Sequence, residues 1–425
     1  MNIFKNLKYN RSVKNAGWLI GGKIVQMVVN LIVGLLTARY LGPSNYGLIN
    51  YAAAYISFFS PLCTLGINAV IVKEFVDHPE NDEMILGSSL GLRLVSSFLS
   101  ALTIIGISCV VDADSTTTQI VVALSTVGMV FHVFEVFSYW FQYRLQSKVT
   151  AIVTLIAYVI TALYRVVLLV TGKDVVFFAF ATSIDYICLA IMLYLSYRKY
   201  GGRKLKLSKE CGLSIFKKSH HFILSGLMVA IYGQTDKLML KHMMDSAEVG
   251  YYSTAASICT VWCFVLSAII DSLYPSILES FKRSREEFDK KNKLLYVIVF
   301  YVSIGVSVLF VVFGELIIKI LYGEAYLPAV MPLRVITWYT AFSYLGVARN
   351  AWIVSLDKQK YLKYVYLIAA ISNVILNAVL IPLWGATGAA VASLVAQIIT
   401  TFVAPFLIKD LRENSILMLK AITFQ

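Results

Sequence analysis

The chain has 425 residues, of which 59% are hydrophobic and 14% charged, with a formal net charge of +13. A mean hydropathy of +0.75 excludes an ordinary soluble globular protein, and the apolar runs recur so closely that no sizeable soluble domain fits between them. The positive charge lies in short loops between those runs rather than on a folded basic surface, which excludes nucleic acid as a partner.

The chain opens on Lys5, Lys8, Arg11 and Lys14 without an acid, then enters an apolar run over 16–40, too long for a cleaved signal peptide. Further runs follow at 46–72, 87–111, 118–141, 150–170, 176–197, 220–243, 250–275, 294–314, 329–354, 364–381 and 387–408. Each is long enough to cross a hydrocarbon core of about 30 Å at about 1.5 Å per residue. The pattern predicts an all-α integral membrane protein of about twelve transmembrane helices. A shorter apolar patch at 316–322 reads as a cap at the membrane interface.

Lys and Arg divide unevenly between alternate loops. One side collects 27 of them, the other only Lys173 and Lys319, so both termini are expected in the cytoplasm. The longest basic loop, 198–219, is then a cytoplasmic linker between two six-helix lobes, 1–197 and 220–425. A shift of 203 residues places YGLINYAA (46–53) on VGYYSTAA (249–256), with Gly47 on Gly250 and Ala52-Ala53 on Ala255-Ala256. Both segments open an even-numbered helix after an outer turn, as a parallel repeat about an axis along the membrane normal requires.

Polar residues at helical spacing mark faces turned away from lipid, because an ionisable group at the bilayer centre costs about 2.5–3.5 kcal/mol or more. The first span carries Lys23, Gln26 and Asn30 on one stripe, continued by Thr37. The seventh carries Gln234, Lys237 and Lys241. Two ammonium groups four residues apart repel, so this second stripe suits water or an anion better than packed protein. Tyr366, Asn373 and Asn377 form a neutral stripe on the eleventh span, a pattern typical of hydrogen bonding between helices. Arg165, Arg334 and Arg349 are further cations within spans, and Arg165 and Arg334 lie near outer ends where they can snorkel. Arg93, within two turns of a cytoplasmic end, reads as a snorkelling anchor.

The acids within spans are Glu135, Asp185, Asp236 and Asp271. Asp236 adjoins Lys237 and is expected to serve as its counter-ion. Asp185 has no base within ten positions, which makes it a candidate proton carrier; Glu135 and Asp271 lie near cytoplasmic ends and read as solvated or paired. Six cysteines without CxxC spacing read as small buried hydrophobes. No P-loop, HExxH or DxD cluster is present, and the adjacent His220 and His221 are poor metal-ligand geometry, so neither catalysis, a metal nor a cofactor is expected.

TARYLGPSNYGLINYAAAYISFF (37–59), VKEF (72–75), DKLMLKHMMDSAEVGYYSTAA (236–256), LYGEAYLPA (321–329) and IPLWGATGAAVAS (381–393) together resemble bacterial polysaccharide flippases of the Wzx type. The resemblance spans nearly the whole chain and implies a two-lobed, MATE-like bundle of the multidrug/oligosaccharidyl-lipid/polysaccharide exporter superfamily. It also implies a cargo, undecaprenyl-pyrophosphate-linked oligosaccharide such as an O-antigen or capsule repeat, moved to the periplasmic leaflet of the inner membrane. Such a cargo needs cations inside the bilayer, and Lys23, Arg165, Lys237, Lys241, Arg334 and Arg349 supply them, with Gln26, Asn30, Gln234, Asn373 and Asn377 as polar contacts. Asp185 and Asp236 are the candidates for coupling to a proton or sodium ion. Membrane lipids and the glycan polymerase machinery are the further partners implied. A drug antiporter on the same fold would favour acids and aromatics over cations in its cavity; a membrane polymerase or ligase of lipid-linked glycans would need a large periplasmic loop that this pattern lacks.

Overall fold

The computed structural model describes residues 11–423, and side chains from residue 21 onward except at 23 and 24. The described residues are nearly all helical. The chain runs through α1 (Arg11–Thr64), α2 (Ile71–Asp77), α3 (Asp82–Val111), α4 (Thr116–His132), α5 (Val136–Tyr143), α6 (Ser147–Val170) and α7 (Val175–Lys199). After these come α8 (Lys209–Met243), α9 (Ser246–Arg283), α10 (Arg285–Leu321), α11 (Val330–Ala348), α12 (Asn350–Ser355), α13 (Leu362–Ile398), α14 (Ala404–Leu407) and α15 (Lys409–Ile422). Among the described residues, eight helical stretches are long and apolar enough to cross a membrane.

Two of those stretches are bent pairs. α1 turns at Gly42 (φ 72°) and α13 at Gly385 (φ 53°), a left-handed conformation that side chains with a Cβ disfavour. Each bend falls between two expected spans, so 16–40 and most of 46–72 share one element, as do 364–381 and much of 387–408; the second member stops at Thr64 in the first pair and passes into the π-helical stretch Ile399–Val403 in the second. The expected seventh span lies inside α8, and the tenth is divided between α11 and α12 by a break at Arg349. The patch at 316–322 is not a separate cap: α10 runs on through it to Leu321 without interruption.

The chain forms two compact units. Among the described residues, unit 1 comprises 11–41 and 51–230, and unit 2 comprises 42–50 and 231–423. The core of unit 1 gathers Phe75, Leu86, Phe137, Trp140 and Tyr197, all fully buried. That of unit 2 gathers Phe288, Leu295, Tyr296, Trp352 and Leu411. Lipid-facing positions show the converse, with Leu163, Val170, Val312 and Leu383 exposed as apolar side chains.

The repeat inferred from the sequence has a physical counterpart inside unit 2. A Cβ on Gly47 would overlap the carbonyl of Ser246, and a Cβ on Gly250 would overlap the carbonyl of Pro43. The 203-residue shift relates Gly47 to Gly250 and Pro43 to Ser246, so the two copies make the same close approach to each other in reciprocal fashion. Isologous contacts around a two-fold axis have this form.

The expected linker 198–219 shortens to 200–208, between the end of α7 and the start of α8, and this segment is ordered rather than loose. Arg203 and Lys206 bridge to Glu83 at 3.1 and 3.2 Å, Ser208 N donates to Ser88 Oγ at 3.0 Å, and Tyr197 donates to the Arg203 carbonyl at 2.8 Å. Its basic residues hold a strap across the first turns of α3, and α8 begins directly after it. The basic segment after Ile408 likewise folds, as α15, burying Leu411 and Met418 while Asn414 donates to Tyr296 at 2.7 Å. Asp410 accepts from Lys358 and from Tyr361, and these partners hold its carboxyl below the usual range.

Candidate functional sites

The seventh-span stripe brings Asp236 and Lys237 to a cavity of about 270 Å³ in unit 2, walled by α8, α9, α11 and α13. Asp236 is 3% exposed, where an unpaired carboxylate would be prohibitively costly. Four donors resolve this. Asn373 and Asn377 donate to Oδ1 at 3.0 and 2.5 Å, while the hydroxyls of Tyr252 and Ser393 donate to Oδ2. Tyr252 and Ser393 are also 3.1 Å apart, and Asn377 donates to Asn373 Oδ1 at 3.1 Å, so the carboxylate anchors a closed network across three helices.

Lys237 is not part of it. Successive helical residues point about 100° apart, so neighbours in sequence do not face each other, and no ion pair within 4.0 Å joins the two side chains. Asp236 therefore acts on Lys237 as a longer-range counter-charge rather than a contact ion pair: neutral donors occupy both carboxylate oxygens and half-buried Lys237 lines the cavity. Tyr232, Tyr339 and Tyr344 form the aromatic walls, with Tyr232 donating to Gln397. The other members of the α8 stripe, Gln234 and Lys241, are half-buried and outside this lining.

Unit 1 holds a larger cavity of about 570 Å³, lined by parts of α1, α4 to α7 and the 3-10 turn Val133–Glu135. Gln26 and Asp185 are among its walls, with Thr161 donating to Asp185 at 3.3 Å. Arg165 is one turn beyond Thr161 on α6 and half-buried. The cavity floor holds a charged group that only the fold assembles. Arg93 is fully buried, donates to Asn68 at 3.1 Å and approaches Glu135 to 3.8 Å; His132 sits 3.4 Å from the same carboxylate and packs edge-on against Tyr186. Arg93 is thus not a snorkelling anchor. Burial at 0% exposure requires a partner, and Glu135 with Asn68 provides it. Asp271 is exposed, as expected.

The remaining sequence candidates disperse. Asn30 is exposed and the side chain of Lys23 lies outside the described residues. Arg334 donates to the Val311 carbonyl at 3.1 Å. Arg349 is 2% exposed and donates to the Thr400 carbonyl at 3.3 Å, within the π-helical stretch Ile399–Val403. Asn373 and Asn377 are fully buried with their amides on Asp236. Sequence reasoning passed over His132, Tyr252 and Ser393; the first was detectable as a polar i, i+3 pair with Glu135 in an otherwise apolar run, whereas the hydroxyl pair has no local signature.

A multi-pass helical membrane protein built in this way has the fold of the multidrug/oligosaccharidyl-lipid/polysaccharide exporter superfamily. A lipid II flippase in an inward closed conformation shares it with a TM-score of 0.69 at 15% identity, over 96% of this chain and 91% of that one. An inward-facing multidrug resistance MATE family transporter aligns with a TM-score of 0.66 at 15% identity, over 92% and 96%. Residues 12–281 match the profile of the polysaccharide biosynthesis protein family, and the chain belongs to that family. A capsular polysaccharide biosynthesis protein, CapF of Staphylococcus aureus, is 20% identical over 398 residues, covering 91% of this chain and 96% of that protein.

Proposed function

We propose that the protein is a transporter that moves an undecaprenyl-pyrophosphate-linked oligosaccharide from the cytoplasmic to the periplasmic leaflet of a bacterial inner membrane. The observation that carries this reading is the state of Lys237: an ammonium on a cavity inside the helical bundle whose nearest carboxylate in sequence already has four donors. Such a cation has no ion-pair or hydrogen-bond partner among the described residues and feels Asp236 only through the longer-range attraction of its charge, which leaves it available to a pyrophosphate; holding an ammonium inside the bundle without a contact partner is a cost that function must justify. Membership of a polysaccharide biosynthesis family supports the glycan part of the cargo. The lobes 1–197 and 220–425 alternate access to the two faces, with 198–219 as their connection. Asp185 and Asp236 are the carboxylates through which a proton or sodium ion couples to the cycle.

The test is complementation of a flippase-null strain scored by surface polysaccharide. The wild-type chain restores export, and the double variant Lys237→Ala/Lys241→Ala inserts normally but does not. Unimpaired export by that variant removes the cations from the mechanism.

A further inference from the structure

One end of unit 2 gathers cations that its cavity does not use. Asp410, at the start of α15, accepts from Lys358 and Tyr361, which brings the entry to α13 and the exit from the last span side by side. The apolar stretch 359–407 folds back at Gly385, so both of its ends reach this junction, at the depth of the lipid head groups. Lys360, Lys363 and Arg412 are exposed there, and among the described residues none of the three has an ion pair. Each instead lies over an aromatic ring: Lys360 Nζ is 5.1 Å from the centre of Tyr361, Lys363 Nζ 4.9 Å from Tyr364, and Arg412 Cζ 5.2 Å from Phe406. Arg412 Nε donates to the Phe406 carbonyl at 3.1 Å, which leaves its two Nη groups free.

α15 also carries two apolar faces. Leu411, Met418 and Ala421 are buried, whereas Arg412, Ile416 and Leu419, at i, i+4 and i+7, share a second face that is exposed. Phe406, Leu407 and Tyr364 extend that exposed apolar surface beside the cations. Lys and Arg bordering an apolar helix face are the pattern of a helix lying at the membrane surface, with acyl carbon against the apolar side and anionic head groups at the cations. We infer that the junction of α13 and α15 is a docking site for one anionic phospholipid of the leaflet that the basic loops face. Lys360, Lys363 and Arg412 meet the phosphodiester, and Phe406, Leu407 and Tyr364 meet the acyl chains. A soluble anion has no contact to offer Leu407 or Ile416, which favours a lipid. The occupant is a resident lipid, held whether or not cargo is present, and it braces α15 against the end of unit 2.

Full-length protein purified free of lipid-linked glycan is titrated with phosphatidylglycerol and, separately, with phosphatidylcholine, and bound lipid is counted by native mass spectrometry. The wild type should take phosphatidylglycerol saturably and in preference to phosphatidylcholine. Each cation near an anionic surface contributes about fivefold, so Lys360→Gln/Lys363→Gln/Arg412→Gln should bind about 100-fold more weakly. The charge-preserving Lys360→Arg/Lys363→Arg/Arg412→Lys should bind as the wild type does, which separates lost charge from lost fold. Lys204→Gln/Lys282→Gln/Lys290→Gln, a loss of three exposed cations elsewhere, should retain the lipid. Undiminished binding by the first variant, failure of the charge-preserving one, equal loss in the third, equal affinity for phosphatidylcholine, or displacement by inorganic phosphate each overturns the site. Preference for undecaprenyl phosphate over phosphatidylglycerol overturns it as well, because the cations would then belong to the path of the cargo.

Discussion

Replacing Asp236 by Ala deletes the acceptor for four buried donors. Tyr252 and Ser393 are 3.1 Å apart and can turn toward each other, and Asn377 retains Asn373 Oδ1 at 3.1 Å, so part of the network recovers. Hydrogen bonds between membrane helices average about 0.6 kcal/mol each, which gives a loss of about 2 kcal/mol for four. An unsatisfied buried donor costs about 1–3 kcal/mol, so leaving two orphaned raises the loss to about 6 kcal/mol. Asp236→Asn keeps one carbonyl oxygen for the two asparagine amides and faces its own amide toward two hydroxyls that can accept, so its cost lies at the lower end. Thermal unfolding of the purified protein in detergent, followed by size-exclusion fluorescence, ranks the three: wild type, then Asn, then Ala. An Ala variant as stable as the wild type would refute the network as a stabilising element.

Further consequences are open to measurement. Arg93→Met removes the partner of Glu135, whose side chain is 34% exposed and open to water, so the loss should stay below the cost of breaking a fully buried pair, about 3–5 kcal/mol; folded yield should fall, and combining it with Glu135→Gln should recover part of that loss. Gly47→Val and Gly250→Val each push a side chain into backbone, so each should reduce folded protein, and to a similar extent because the contacts are reciprocal. Asp410 has a depressed carboxyl pKa, so its hold on Lys358 is present at neutral pH and is lost as pH falls through that lowered value, below the ordinary carboxylate range near about 4. Hydrogen-exchange protection factors over 409–422, which divide out the intrinsic slowing of exchange at low pH, should fall at acid pH in the wild type and already at neutral pH in Asp410→Asn.

The apolar runs made the helical membrane fold legible, because the transfer of backbone and side chains into lipid depends on local composition. The stripe on α8 marked the face on which Lys237 lines a cavity, and the neutral stripe on α13 marked a helix-helix contact. The expected pairing of Asp236 with Lys237 takes the form of a longer-range attraction and not of a contact ion pair, because adjacency in sequence is not adjacency on a helix. The ordered strap at 203–208 and the docked α15 were missed for a related reason: basic segments look alike whether they are solvated or clipped to an acid such as Glu83 or Asp410.

Composition and periodicity therefore determined which segments are helices in lipid and which polar residues lie off the lipid face. Only the tertiary structure decided their partners. Asp236 is satisfied by residues at 252, 373, 377 and 393, and Arg93 by residues at 68 and 135. A buried charge must be paired somewhere, and helices joined far apart in sequence bring those partners together only by packing.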